Sequence, residues 1–260
     1  MLIVGILSAG LGTRLNPYTL SKPKPLVSLP TGSCILSENI KFFCGGFRDP
    51  LIKVISGYKS ELFSSNEEVI KNENVQLILN PFFKVAGPLG SIWSLLTNID
   101  LSKSSELLIC NGDTILFESI REYVKTEVES TKSKFGYYLF VSESCDEDDD
   151  GMRVALVDGE RILAVSKDLD DSITNAYSTG VLLIKGNAQI REFYGKFKGL
   201  LEGNPRAISD WNWHSLINVL ISDGILIGGK TVPDGSWLEI DSPNEYINLY
   251  NKMKDDKKDR

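Results

Sequence analysis

The stretch Ile3–Val27, IVGILSAGLGTRLNPYTLSKPKPLV, decides how the rest of the chain is read. Leu2 to Leu7 is an apolar run too short for a typical helix, and Ser8-Ala9-Gly10-Leu11-Gly12-Thr13-Arg14 follows at once. A short apolar run closed by small residues reads as a strand buried on both faces that ends in a tight turn. Backbone N–H groups in such a turn can approach phosphate oxygens closely. Arg14 adds a planar, permanently charged fork suited to phosphate. Lys24 stands between Pro23 and Pro25, so a stiff backbone presents its ammonium. Two other phosphate loops do not fit. The third glycine of a dinucleotide fingerprint is replaced by Leu15, and the Lys-Ser/Thr end of a Walker loop is replaced by Leu11-Gly12.

Working outward, Cys34 to Phe43 has apolar residues at helical spacing and should form a helix ending near Gly45-Gly46. Ile52 to Ile55 reads as a second buried strand, Glu61 to Lys71 as a polar helix and Val75 to Leu79 as a third strand. A helix opens in Ala86–Trp93 and runs to about Leu96, and Glu106 to Cys110 is a fourth strand. Strand alternating with helix predicts a mostly parallel sheet covered on both faces, with ligands beyond the carboxyl ends of the strands. Further on come a helix over Ile120–Ser130, a strand over Phe135–Val141, a hairpin turning at Asp158-Gly159, a helix over Asp210–Ser222 and a last helix from Pro243 to about Met253. The whole chain is expected to be one domain, with a core over about 1–241.

The opening stretch resembles the signature of nucleotidyltransferases that act on sugar phosphates and related small phosphorylated acceptors. The resemblance implies a Rossmann-like, GT-A type α/β domain. It implies that Leu7, Ser8, Ala9, Gly10, Gly12 and Thr13 line the nucleotide site, that Arg14 holds NTP phosphates and that Lys24 contacts the reacting phosphate. Other segments match the family as well. Gly87 and Gly90 fall in its base-contacting segment, although the residues alone fit a plain loop equally well. Asn111-Gly112-Asp113 matches its N-G-D motif, which makes Asp113 a magnesium ligand and Asn111 and Gly112 nucleotide neighbours. Lys167 matches a lysine that binds the acceptor phosphate, and Gly180 a glycine beside the sugar. Trp237-Leu238-Glu239-Ile240-Asp241-Ser242-Pro243 resembles the family's metal strand. Glu239 and Asp241 alternate and so share a face; which of them binds Mg²⁺ directly stays open.

The acceptor is read from several segments. Ser178, Thr179 and Gly180 offer hydrogen bonds and a close backbone to a sugar phosphate. Gly87-Pro88 stands where phosphocholine-type relatives carry an Asn pair. The helix expected around Trp211 resembles cytidylyltransferases for phosphocholine or aminoethylphosphonate, and its spacing puts Trp211 and Trp213 on opposite sides. A sugar phosphate is the first choice, phosphocholine or aminoethylphosphonate the second, and a nucleotide-binding regulatory module without turnover the third. CTP is the nucleotide chosen for the first reading. His214, the sole histidine, reads as structural, since nothing near it in sequence forms a triad or a metal pattern.

Composition bounds the partners. The 260 residues carry a net charge of −7, which argues against a nucleic-acid surface but not against a local phosphate site. Cys34, Cys44, Cys110 and Cys145 show no C-x-x-C pairing and read as reduced thiols of a cytoplasmic protein. The N-terminus lacks a basic region before its apolar run and is not read as a signal peptide. No run reaches membrane-spanning length. The acidic stretch Glu143–Asp150 reads as a solvated hairpin loop, and Lys254–Arg260 as a frayed tail. Homo-oligomerisation is left open.

Overall fold

The computed structural model describes residues 1–144 and 151–255, so Cys145, most of the acidic stretch and the end of the tail lie outside the described residues. The elements are, in order, β1 (Leu2–Ser8), α1 (Ile35–Gly46), β2 (Leu51–Ser56), α2 (Glu67–Lys71), β3 (Val75–Leu79), α3 (Pro88–Leu96), β4 (Glu106–Asn111) and β5 (Thr114–Leu116). Then follow α4 (Glu118–Glu129), β6 (Tyr137–Ser142), β7 (Arg153–Val157), β8 (Arg161–Ser166), β9 (Ala176–Lys185), α5 (Asn187–Gly203), α6 (Ala207–Asp210), α7 (Ser215–Ser222), β10 (Gly228–Thr231), β11 (Trp237–Glu239) and α8 (Pro243–Asp255).

Alternation along β1 sets the layers. Ile3 and Leu7 join a core with α3, α5 and α7, while Leu2, Val4 and Ile6 join one with α1 and α4. Both faces of the strand are therefore covered, as its continuous apolar sequence requires. Gly5 lies under α3, where a Cβ would stand 2.3 Å from Leu95 Cδ2; glycine lets that helix close onto the sheet.

The main sheet has nine strands in the order β3-β2-β1-β4-β9-β6-β10-β8-β7. Its first half, β3-β2-β1-β4, is parallel, as the alternation of strands and helices predicts. Beyond β4 the sheet is mixed, because β9 runs antiparallel to both β4 and β6. In this half β7 and β8 are joined by a short turn, which can link only antiparallel neighbours, while β10 lies parallel to β6. The turn between β7 and β8 has positive φ at Asp158 (54°) and Gly159 (70°), and Glu160 N donates to Val157 O at 3.2 Å, the geometry of a type I′ turn. A separate two-stranded sheet pairs β5 with β11.

Two expected helices form only in part. Between Glu61 and Lys71 the chain forms a 3₁₀ turn and then the short α2, because the Asn66 side chain accepts from Glu68 N at 3.0 Å and Val69 N at 3.3 Å and starts a new helix. The expected helix over Asp210–Ser222 starts late: α6 ends at Asp210, Trp211–His214 are irregular, and α7 begins at Ser215. There Asn212 Oδ1 takes the Ser215 N–H at 3.1 Å, an Asn side chain competing with the helical ladder. Among the described residues no helix is long and apolar enough to cross a membrane, and Cys34, Cys44 and Cys110 are unpaired thiols.

Candidate active site

The carboxyl ends of β1 and β4 open into a cavity of about 480 Å³. The chain leaves β1 through the glycine turn, and Gly12 takes the left-handed conformation (φ 63°). Thr19 Oγ1 donates to Gly12 O at 2.8 Å and holds that turn. A Cβ on Gly12 would meet Lys24 Cβ at 3.0 Å, so the glycine brings the turn against the Pro-flanked lysine. Leu7 through Arg14 and Lys24 all line the cavity.

The end of β4 is equally crowded. Gly112 N donates to Leu7 O at 2.9 Å. A Cβ on Gly112 would lie 2.4 Å from Ser8 Oγ and 2.5 Å from Leu7 O. Only glycine lets Asn111-Gly112-Asp113 turn over the end of β1. Asp113 then enters the cavity floor, while β5 pairs Thr114 with Glu239 of β11. Ile240 N donates to Asp113 O at 3.2 Å and extends this pairing. Beneath it, Ile115, Ile240, Leu15, Val27, Tyr246 and Leu249 form a small core that joins the lysine loop to α8.

The result is a compact charge cluster. Asp113, Glu239 and Asp241 offer carboxylate oxygens all within 4.8 Å of one another. Lys24 Nζ donates to Asp113 Oδ2 at 2.8 Å and also to Asp241 Oδ1. Arg14 reaches Asp241 Oδ2 at 2.6 Å. Burial alone would depress the Lys24 pKa, but the Asp113 and Asp241 charges and hydrogen bonds outweigh it and hold the pKa above the ordinary lysine value. Glu239 goes the other way from most ion-paired acids: burial first, then the Asp113 and Asp241 charges, push its carboxyl up to about 8.

These residues fit a divalent cation. The donor set is oxygen only, the carboxylates are partly buried and mutually repelling, and the cost is concentrated on Glu239. Hard oxygen donors of this kind suit Mg²⁺.

Across the cavity, Lys167 follows β8, and Ser178 and Gly180 lie on β9. Gly180 has φ 75°, and its missing Cβ leaves room for Asn111 Nδ2, which would otherwise lie at 2.7 Å. Asn111 Oδ1 accepts the Trp213 indole N–H at 2.8 Å. His214 is buried, its ring stacked on Trp213 with centroids 3.8 Å apart, and Nε2 lies 2.9 Å from Ser178 Oγ. Burial and the nearby Lys167 charge push the imidazole down to about 3, so it is neutral at ordinary pH.

Most of the expected site residues are therefore brought together, and a few are not. Thr179 alternates away from the cavity and donates to Phe140 O at 3.0 Å. Trp211 packs against the larger core and leaves Trp213 and His214 to line the cavity. Gly87 lines the cavity, but Gly90 sits one turn into α3, where a Cβ would be 2.5 Å from Ala86 Cβ. Asn80, Phe83, Met152 and Asn212 line the cavity without having been singled out from the sequence. Asn80 follows β3 as Gly112 follows β4, and that strand-end position was the available signal.

The glycine turn and the acidic cluster stand at the carboxyl edge of a Rossmann-like sheet, which makes this an α/β protein with its cavity where such folds bind ligands. The model of the nucleotidyl transferase family matches residues 4–155, more than half of the chain, and the chain belongs to that family. It is similar to the mannose-1-phosphate guanylyltransferase catalytic subunit beta of Drosophila melanogaster, 29% identical over 154 residues, which cover 54% of this chain and 41% of that protein. It is also similar to the 2-aminoethylphosphonate cytidylyltransferase of Lancefieldella rimae, 30% identical over 111 residues, covering 43% of this chain and 42% of that one. The matches thus span less than half the length of these curated relatives. Among solved structures, the inositol-1-phosphate CTP transferase from T. maritima superposes with a TM-score of 0.73 at 20% identity, covering 98% of this chain and 96% of that one. The CTP:phosphocholine cytidylyltransferase from Streptococcus pneumoniae superposes with a TM-score of 0.75 at 19% identity, covering 97% and 100%. These two structures show the same fold.

Proposed function

We propose that the chain transfers a nucleoside monophosphate from an NTP to a phosphorylated small-molecule acceptor and releases pyrophosphate. The observation that carries this reading is the meeting of the glycine turn, Lys24 and the Asp113–Glu239–Asp241 cluster at one end of a cavity whose other side holds Lys167, Ser178 and Gly180.

An acceptor phosphate oxygen attacks the α-phosphorus in line, and the bond from that phosphorus to the pyrophosphate oxygen breaks. The nucleophile is already anionic at neutral pH, so the chain needs no general base. Charge neutralisation and alignment are what the chemistry demands. The backbone N–H groups around Gly10 and Gly12 and the Arg14 guanidinium receive the triphosphate. Lys24 faces the reacting phosphate, and Lys167 receives the acceptor phosphate. Asp113, Glu239 and Asp241 would hold Mg²⁺, which when bound neutralises phosphate charge. His214, neutral and hydrogen-bonded to Ser178, has no part in proton transfer.

For the acceptor we favour a sugar phosphate. Mannose-1-phosphate in the name of one relative supports it. So does the scarcity of aromatic faces: Trp213 on this side of the cavity has one face covered by His214, whereas a quaternary ammonium is best held by several open rings. The cytidylyltransferase relative supports CTP as the nucleotide of first choice, with phosphocholine or aminoethylphosphonate as the alternative acceptor. The test is pyrophosphate release over a panel of CTP, UTP, GTP, ATP and dTTP against sugar 1-phosphates, phosphocholine and aminoethylphosphonate. Release with a sugar phosphate supports the reading; release with none of the pairs overturns it.

A further inference from the structure

Five residues on three parts of the chain close a ring of contacts at the acceptor side. His214 Nε2 lies 2.9 Å from Ser178 Oγ. The same Oγ accepts the Gly180 N–H at 3.1 Å. Gly180 packs against the Asn111 amide, which only a residue without a Cβ allows at φ 75°. Asn111 Oδ1 accepts the Trp213 indole N–H at 2.8 Å, and the indole stacks on His214 at 3.8 Å. The ring ties β9 to the end of β4, two residues from Asp113, through the irregular segment between α6 and α7.

Ser178, Gly180, Trp213 and His214 are buried and Asn111 is half-buried, and none of these side chains is ionised. Ser178, His214 and Trp213 are 3%, 4% and 3% exposed. A hydroxyl that accepts Gly180 N–H can still donate to, or accept from, an imidazole nitrogen, so one histidine fixes its rotation. On the nucleotide side, α3 meets α6 and Trp211 through packed apolar side chains and through backbone. Gly87 N donates to Ile208 O at 2.7 Å, and the Cβ position of Gly87 faces Ser209 O and Trp211 O. The His214 side chain makes its hydrogen bond on the acceptor side, to Ser178 of β9.

We propose that His214 is a positioning residue for the acceptor: through Ser178 it sets the Gly180 turn, and through Trp213 it sets the Asn111 amide. It touches neither reacting phosphate. The proposal rests on the transferase reading for its kinetic consequence, but its structural half does not.

The test uses His214→Phe, which keeps a stacking ring and loses the hydrogen bond. His214→Gln keeps a polar atom near the Nε2 position, and Ser178→Ala removes the partner. With glucose 1-phosphate as acceptor and CTP as donor, or whichever pair from the panel the wild-type chain uses best, His214→Phe and Ser178→Ala should each raise the acceptor KM about tenfold. One neutral hydrogen bond is worth about a factor of ten. The NTP KM should stay within about twofold. His214→Gln should recover much of the loss, and the Phe/Ala double variant should be no worse than either single one. In ¹⁵N spectra the Gly180 amide and Trp213 indole signals should shift in His214→Phe while the rest of the fold is retained. Unchanged acceptor KM in folded His214→Phe, or equal rises in both KM values, overturns the proposal. If the wild-type chain turns over no pair, the transferase reading fails instead. The two NMR signals then decide the joint alone, and their constancy in His214→Phe sinks it.

Discussion

Lys24 Nζ lies 2.8 Å from Asp113 Oδ2, a bond between the Pro-flanked lysine of the first motif and the acid that closes β4. A second bond to Asp241 makes the ammonium the bridge of the carboxylate cluster. Lys24→Met keeps the length of the side chain and removes this charge, leaving acids that repel. Breaking a buried pair by removing one partner costs about 3 kcal/mol or more. We therefore expect a clear fall in Tm, partly reversed by millimolar Mg²⁺, and a fall in turnover of about a hundredfold or more. Near-normal turnover and Tm in Lys24→Met would remove Lys24 from the site.

The carboxylates should separate by role. Asp113→Asn should weaken metal dependence most, because that side chain is fixed by both the β4 turn and β5. Asp241→Asn also removes one ion pair each from Arg14 and Lys24, so it should raise the NTP KM as well. Glu239 supplies a pH signature. Its carboxyl is pushed from the ordinary 4.5 up to about 8, so the folded chain keeps a proton that the unfolded chain has lost between those values. Its contribution to stability is complete below pH 4.5 and is lost as pH rises towards 8. The Tm of Glu239→Gln relative to wild type, measured without divalent cations, should climb across that window. A flat difference would mean that Glu239 is not strained.

His214 gives a slope on the acid side. Its pKa falls from 6.5 to about 3, so between those values the unfolded chain binds a proton that the folded chain refuses. Stability is lost as pH drops through that window, by up to about 1.4 kcal/mol per pH unit from this group. Chemical denaturation of wild type and His214→Gln at pH 7 and pH 5 should show the variant losing less. Parallel losses would mean the imidazole is not held neutral.

The glycines of the site do different jobs. Nothing lies within 4 Å of a Cβ built on Gly10, whereas on Gly112 it would meet Ser8 Oγ at 2.4 Å and Leu7 O at 2.5 Å. Gly10→Ala should keep its Tm within a degree or so and raise the NTP KM, since the added methyl faces the cavity. Gly112→Ala should lower Tm severely, because backbone cannot yield as a side-chain tip can. Equal Tm values for the two variants would contradict this division.

Trp211 lies off the cavity, so Trp211→Ala should change acceptor KM only modestly, while Trp213→Ala should raise it strongly through Asn111. Comparing kcat/KM for sugar phosphates and phosphocholine in both variants checks this. A severe Trp211 defect with a phosphocholine preference would reverse the acceptor assignment.

What could be read from the chain follows from how local each signal is. The β1 turn, Lys24 and Asp113 each end an apolar run or sit between prolines, so sequence neighbours fix them. Glu239 and Asp241 were placed together by strand alternation, and their meeting with Asp113 came only from resemblance, because the register of β5 with β11 joins distant segments. Thr179 faces away because Ser178, Thr179 and Gly180 are consecutive in β9, and alternation turns the middle residue to the other face. The break at Trp211–His214 was hidden because apolar spacing continues through it, while Asn212 diverts the backbone. The helical stripe of α5 (Ile190, Phe193, Phe197) was present in the sequence but carried no chemistry to draw notice.

The pairing of β5 with β11 sets different tolerances for inserted residues. Between β5 and β11 the chain can lengthen at surface turns without moving the acids, since the β5–β11 pairs and the Ile240 N–H bond to Asp113 O carry the alignment. A single residue inserted between Asp113 and Thr114, or between Glu239 and Asp241, would instead turn one carboxylate to the opposite face. The site should therefore survive large additions far from it in sequence and fail on the smallest addition within the ladder.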